Sequence, residues 1–307
     1  MRNGVKRMRD KITVIGSLNY DIILKMPRLP ECGETLPADQ AAFSAGGKGA
    51  NQAVQAAKLG VETYMVGCVG KDVHGDFLLE TTQRYGVNTS HVSRVDEMTG
   101  MGIVSAVTDG SVYADIVRGA NFSVTEQHIE EAQELLKESA LVILQMEIPQ
   151  KINLYAIDKA KACGCRVLLN TAPAEEIPEE YLKKCDILVM NEVEAGFYLK
   201  EELDTVEKAV EGAERLSQTL CNDLVITLGK EGSVVSESGS VTFVPAKKVK
   251  AVETTGAGDS FIGGIGYALL QGKGLTEACR FATCCSAVTV CRMGAQSSMP
   301  VLEEIEQ

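Results

Sequence analysis

The chain has 307 residues, 45% of them hydrophobic, and a formal net charge of -12. That length allows one large domain, or one domain with a small appendage, and the acidic balance argues against the basic footprint of a nucleic-acid-binding surface. No apolar run reaches the length of a membrane span, and the basic stretch Met1 to Lys11 lacks the apolar core of a signal peptide, so a soluble cytoplasmic protein is expected, with residues 1–10 as a disordered tail.

The ten cysteines include scattered ones (Cys32, Cys68, Cys163, Cys165, Cys185, Cys221) and an adjacent pair (Cys284-Cys285), and no C-x-x-C pair occurs. His74, His91 and His128 lie far from them in sequence, so the spacing of a zinc site is absent. Reduced thiols packed as small hydrophobes are expected.

In chain order, Lys11 to Gly16 (KITVIG) predicts a short buried strand. No helix follows. Ser17 to Asp21 leads instead into Ile22-Ile23-Leu24-Lys25-Met26 and then Pro27 and Pro30, a strand that leaves the main body. Asn19 and Asp21 are two residues apart and so share one side of it, either as turn chemistry or as a polar pair that grips hydroxyls.

Ser44 to Ala53 (SAGGKGANQA) is a glycine-rich entry to an alanine-rich helix closed by Gly60. It lacks the spacing of a Walker A loop, and no G-x-G-x-x-G occurs in the chain, which weighs against a Rossmann dinucleotide site. The glycines would let backbone amides touch a small polar ligand, with Lys48 and Asn51 adding donors; a purely structural helix entry is the competing reading.

Thr63 to Gly70 reads as a strand and Asp72 to Tyr85 as a helix. Gly100 to Thr108 and Val112 to Arg118 flank Asp109-Gly110, a strong hairpin signal. This second piece and the one beginning at Ser17 are expected to form one small sheet over the site. From Thr125 onward the pattern is regular. Helices over Thr125 to Glu138, Lys151 to Cys163, around Glu179 and over Thr205 to Thr219 alternate with strands Ala140 to Gln145, Arg166 to Asn170, Ile187 to Met190 and Leu224 to Leu228. Such apolar strands between helices predict a mostly parallel sheet buried on both faces, with ligands at the strand C-terminal ends. Polar residues stand at those ends: Glu147, Asn170, Asn191-Glu192 and Thr227-Leu228-Gly229.

Near the C-terminus, Glu253-Thr254-Thr255-Gly256-Ala257-Gly258-Asp259-Ser260-Phe261 opens a run of small and apolar residues to Leu270, read as a buried helix. The turn at Gly256 to Gly258 would expose helix-start amides as an anion hole, and Asp259 at its mouth could take a proton from an attacking hydroxyl. Asp259 as a plain helix N-cap is the competing reading.

Taken together, Gly47-Lys48-Gly49-Ala50-Asn51, Gln145-Met146-Glu147, Asn170 to Ala174, Asn191-Glu192-Val193-Glu194, Thr227-Leu228-Gly229 and Thr254 to Asp259 resemble, in order, the motifs of the ribokinase family of sugar kinases. The resemblance runs from Lys11 to Pro300. It implies a three-layer α/β/α core with a mostly parallel sheet (residues 1–16, 44–99 and 119–307) and a β lid (17–43 and 100–118) that pairs across a homodimer. It implies ATP-dependent transfer of the γ-phosphoryl group to the 5-hydroxyl of D-ribose. Deoxyribose, a nucleoside or a ketose as acceptor, or a non-catalytic sugar sensor, are the alternatives.

The same resemblance implies the site roles. Asn19, Asp21, Gly47, Lys48, Asn51 and Glu147 would hold the sugar, with Asp259 as base and the amides of Gly256, Ala257 and Gly258 as the anion hole. Asn191, Thr227, Gly229, Gly232, Gly258 and Thr283 would line the nucleotide site. Glu253, Thr255, Thr289, Arg292, Gly294 and Ser298 would bind a monovalent cation, K+ being expected. The family's Asp is Glu253 here. Glu192 and Glu194 would act on Mg2+ through water.

Overall fold

The structure, a computed structural model, describes residues 9–108, 111–220 and 223–305. The expected turn at Asp109-Gly110, Cys221 and most of the expected tail fall outside the described residues. Arg9 is described, and its guanidinium donates to the Cys163 carbonyl (2.8 Å).

The chain opens with β1 (Lys11–Ile15), β2 (Asn19–Met26) and β3 (Gln40–Gly46), followed by α1 (Lys48–Lys58), β4 (Glu62–Gly70), α2 (Val73–Arg84) and β5 (Asn88–Val95). β6 (Gly100–Val107) and β7 (Val112–Val117) come next. Helices α3 (Glu126–Glu131), α4 (Gln133–Glu138), α5 (Gln150–Ala162), α6 (Glu179–Leu182), α7 (Glu192–Leu199) and α8 (Val206–Leu220) then alternate with β8 (Ser139–Leu144), β9 (Arg166–Asn170), β10 (Ile187–Asn191) and β11 (Asp223–Thr227). The chain ends with β12 (Gly232–Glu237), β13 (Ser240–Pro245), α9 (Ala257–Leu270) and α10 (Leu275–Thr289).

Nine strands form the main sheet in the order β13-β12-β11-β10-β9-β8-β1-β4-β5. It is parallel from β11 through β5, and β12 and β13 extend it antiparallel. Alternate residues of each strand face opposite helical layers. Ile15, Val66, Leu144, Leu169 and Ile226 pack with α3, α4, α5, α7 and α8. Ile12, Val14, Met65, Ile143 and Val225 pack with α1, α2, α9 and α10. Each fully buried aliphatic side chain of this kind contributes about 1.5–3 kcal/mol, which is why the strands need no polar face.

The second sheet has four strands, β3-β2-β6-β7, with β2 and β6 parallel and both outer pairs antiparallel. Its first segment runs on to Gly46, beyond the boundary at residue 43 expected from sequence. Four strands were not anticipated: β3, β5, β12 and β13. The expected single helix from Thr125 to Glu138 is two, broken at Ala132 (φ -87°, ψ 3°). Five thiols (Cys68, Cys165, Cys185, Cys279, Cys285) are buried as expected, and burial alone pushes Cys68 up to about 12; Cys32 and Cys291 are exposed.

α1 and α9 pack so closely that a Cβ on Gly263 would lie 2.6 Å from Gln55 Cβ and 2.9 Å from the Gln52 carbonyl oxygen. Gly263→Val therefore has to push the two helices apart. It is expected to destabilise the protein by about 3 kcal/mol, read from urea denaturation; an unchanged midpoint would show that the interface yields.

Candidate active site

The candidate residues gather where the C-terminal ends of β1 and β8, the start of α1, the start of α9 and the small sheet meet. The amide of Ala50 donates to the Ser17 carbonyl (2.9 Å), tying the first turn of α1 to the end of β1. Gly47, the N-cap of α1, has φ 87°, and a Cβ there would lie 2.7 Å from the Asn19 amide nitrogen. The structural reading of this glycine-rich entry thus has real content. Gly47 has no side chain to cap the helix, and Glu147 does so from the end of β8. Its Oε2 accepts from the Lys48 amide (3.0 Å) and from the Ser17 hydroxyl (2.5 Å).

Asp259 is the third residue of α9, whose N-cap is Gly256 at φ 76°, ψ -1°. The reading of Asp259 as a plain N-cap is therefore excluded. Its two carboxylate oxygens accept from side-chain amides of α1, Oδ2 from Asn51 Nδ2 and Oδ1 from Gln52 Nε2 (both 2.9 Å). Burial raises its proton affinity; Lys48 and the two amides pull it back, and Glu147 adds to the rise. For Lys48, burial lowers the proton affinity, but Asp259, Glu147 and Glu194 outweigh it, and the net shift is upward. Lys48 is thus a fixed cation among carboxylates.

The small sheet supplies Asp21 and Asn19. Asp21 stands opposite Gly102, whose amide bonds its carboxylate; burial and the fields of Glu147 and Asp259 push it up to about 7. Asn19 is buried and its Oδ1 accepts from Asn121 Nδ2 (2.7 Å), while Asn121 Oδ1 accepts from the Leu18 amide (2.9 Å). The Asn19 oxygen is thereby committed, and its amide NH2 is presented as donor. The site thus gathers Asn19, Asp21, Gly47, Lys48, Asn51, Glu147 and Asp259. Asn51 Oδ1 is buried with no partner among the described residues.

In the glycine turn, the Ala257 amide donates to the Thr254 carbonyl (3.2 Å), so of the three expected anion-hole amides, those of Gly256 and Gly258 are left by this turn. Around the ends of β10 and β11, Asn191 caps α7 in a reciprocal box with Glu194. Asn191 Oδ1 accepts from the Glu194 amide (2.8 Å), and Glu194 accepts from Asn191 N (2.9 Å) and Nδ2 (3.1 Å). Glu194 thus has a structural task, and burial raises its proton affinity. Glu192 stands half-buried in the first turn of α7. Thr227 ends β11, and its hydroxyl lies 3.5 Å from the Met190 carbonyl. Gly229 follows it in a turn. Gly232 opens the β12 hairpin at φ 131°, where a Cβ would lie 2.2 Å from the Val244 carbonyl oxygen, so backbone geometry accounts for this glycine. The Thr283 hydroxyl bonds its own helix, to the Cys279 carbonyl (2.8 Å).

The loop after α10 folds onto 252–255. Glu253 Oε2 accepts from the Gly294 amide (2.8 Å), and the Val252 amide donates to the Val290 carbonyl (2.7 Å). Thr289 and Ser298 are buried, the Ser298 hydroxyl donating to the Ala295 carbonyl (2.7 Å). Thr255 is exposed beside them. Arg292 is turned outward into a two-pronged pair with Glu304, leaving only its backbone to serve the loop. A donor set of backbone oxygens and a single carboxylate suits a weakly charged cation, and no cluster of three His, Cys, Asp or Glu able to hold a metal exists among the described residues.

Sequence reasoning missed Ser17, Gln52 and Asn121, which touch the site only through its named residues. No helix among the described residues is long and apolar enough to cross a membrane.

Residues 9–302 match the pfkB family carbohydrate kinases. A ribokinase of Haemophilus influenzae is 35% identical over 298 residues, covering 97% of each chain. A deoxyribokinase of Salmonella typhimurium is 36% identical over 301 residues, covering 96% of this chain and 97% of its own. Among solved structures, Arabidopsis thaliana ribokinase complexed with ribose and ATP has a TM-score of 0.90 at 33% identity, with 97% of this chain and 98% of that one covered. The architecture is the ribokinase-like fold.

The raised Asp21 gives a pH test. The folded state holds this proton more tightly than the unfolded chain, whose ordinary value is 3.8. Stability of the ligand-free protein therefore falls as pH rises from about 4 to about 7. Asp21→Asn removes that component and is expected to be more stable than wild type by about 1–2 kcal/mol at pH 8, with no difference at pH 4. Thermal melts across this range check it; equal gains at both ends would assign the effect to packing.

Proposed function

The chain belongs to the pfkB family of carbohydrate kinases, and we propose that it is an ATP-dependent ribose kinase acting on the 5-hydroxyl. The observation that carries the reading is Asp259, set in the first turn of a glycine-opened helix and facing the polar wall of Asn19, Asp21, Lys48 and Glu147. A binding module has no use for a carboxylate held beside an anion hole.

In this reading Asn19, Asp21, Lys48, Asn51 and Glu147 fix the sugar by its hydroxyls, the amide of Gly47 adding a donor. Asp259 accepts the proton as the 5-oxygen bonds the γ-phosphorus; the bond to the β–γ bridging oxygen breaks and ADP leaves. The amides of Gly256 and Gly258 meet charge on the transferred group, at a helix start that favours it. Asn191, Thr227, Gly229, Gly232 and Thr283 flank the nucleotide. Glu192 would hold Mg2+ through water, where it would neutralise charge on the phosphates, and Glu253, Thr255, Thr289, Gly294 and Ser298 would hold a monovalent cation that would add positive charge near the glycine turn. The sheet of β2, β3, β6 and β7 acts as a lid that excludes water. The buried thiols suit a cytoplasmic setting.

Purified protein is expected to phosphorylate D-ribose in preference to 2-deoxyribose, fructose and adenosine, and to depend on Mg2+ and gain from K+. Asp259→Asn is expected to cut kcat by about 10³-fold while ribose binding persists. Wild-type turnover in that variant would remove the base assignment. The similarity to a deoxyribokinase makes 2-deoxyribose the second reading, and a reversed preference would select it.

A lid dimer is the companion proposal. The side of the lid facing away from Asp21 carries Ile22, Leu24, Ile103 and the exposed Phe43 (59%) and Tyr113 (49%). A second lid would cover this apolar surface and the strand edges. Phe43→Asp is expected to halve the mass seen by sedimentation equilibrium; a wild-type monomer would overturn the proposal.

A further inference from the structure

Gln52 is buried in α1, and all its side-chain hydrogen-bonding groups but one lone pair are used. Nε2 donates to Asp259 Oδ1 (2.9 Å) and to Asn170 Oδ1 (3.3 Å), and Oε1 accepts from Gln145 Nε2 (2.7 Å). An amide beside a carboxylate is useful in one orientation only. Turned by 180°, it would set its oxygen against Asp259 and lose the charge-assisted bond.

The surroundings permit only the useful orientation. Asn170 Nδ2 donates to the Val189 carbonyl (3.1 Å), which can only accept, so Asn170 must turn its oxygen toward Gln52. That oxygen in turn requires a donor from Gln52. Gln145 is confined sterically rather than by a second hydrogen bond: a Cβ on Gly16 would lie 1.9 Å from its Oε1, which is buried with no partner among the described residues. The polarity of a main-chain carbonyl on β10 is thus passed through two amides to the carboxylate on α9.

We propose that Gln52 is a positioning residue for Asp259, held in a single amide orientation by Gln145 and Asn170. It fixes the direction of the carboxylate while Asn51, on the other oxygen, remains available to substrate. The proposal rests on the reading of Asp259 as the base, because only a base needs both its aim and its ionised form preserved.

The test uses Gln52→Met and Gln145→Met, which keep volume and remove the donors. Asp259 is titrated in the ligand-free protein by difference infrared spectroscopy, its band identified by its absence in Asp259→Asn. In parallel, the acid limb of kcat against pH is measured with the preferred sugar. Loss of the Gln52 donor is expected to move the Asp259 titration and the acid limb up by about one pH unit, with kcat falling about tenfold or more and KM for the sugar changing less than threefold. Gln145→Met moves both in the same direction by less. A folded Gln52→Met with an unshifted Asp259 band overturns the proposal, and if that variant does not fold, an unshifted band in Gln145→Met does so. A shifted band in a protein that phosphorylates no sugar supports the relay and counts against the proposed function instead.

Discussion

The structure turns on holding one carboxylate where charge is costly. Asp259 sits among enough protein that burial is the first influence on it, and an uncompensated anion in such a place costs several kcal/mol. Compensation comes from three directions: the Lys48 ammonium, the amides of Asn51 and Gln52, and the start of α9 with its unpaired N–H groups. All but the last belong to α1. Helices α1 and α9 must therefore approach within reach of short side chains, and Gly263 at their contact is what that distance demands.

The rest of the molecule can be followed outward from this pair. Glu147, at the end of a central strand, caps α1 and sets its start against the sheet. Asn121 holds Asn19, so β2 begins from a fixed point although most of its length is only half-buried. On the other side of Asp259, the Ser260 hydroxyl donates to Gln55 Oε1 (2.7 Å) and lies 2.9 Å from the Thr289 hydroxyl. Gln55 in turn donates to the Pro300 carbonyl (3.1 Å). These buried bonds connect the loop after α10 to the two helices of the site. Rupture of these hydrogen bonds would leave buried polar atoms unsatisfied beside Asp259.

What the sequence disclosed depended on whether chemistry was written locally. The alternation of apolar strands with helices after Thr125, and the glycine turn before Asp259, are local patterns, and both stand in the structure. The antiparallel pair β12 and β13 was missed because its strands, GSVVSE and SVTFVP, mix polar and apolar residues without the uninterrupted apolar run of the central strands. Strand β5 (NTSHVSRV) lies at the sheet edge with a partly exposed face and carries even less signal. Gln52 was invisible for another reason. A glutamine next to the start of an alanine-rich helix is a neutral choice by propensity, and its role appears only when residues 145, 170 and 259 surround it. Asn191 and Glu194 show the reverse case, a motif visible in sequence whose side chains turn out to cap a helix.

Charge balance explains why such a site would depend on cations. Glu147, Asp259 and Glu194 all act on Lys48, while Asp21 lies in the fields of Glu147 and Asp259. Arg292, the basic side chain of the nearby loop, is spent on Glu304 at the surface. Burial raises the proton affinity of Asp21, Asp259 and Glu194, a sign that negative charge is already costly there, and a nucleotide triphosphate would bring more of it. Two helix-start amides, each carrying only part of a charge, cannot offset this alone. In the proposed reaction the positive charge that phosphoryl transfer requires would have to arrive with the substrate or be bound near the glycine turn. A base placed among carboxylates would thereby make turnover conditional on ions the fold does not itself supply.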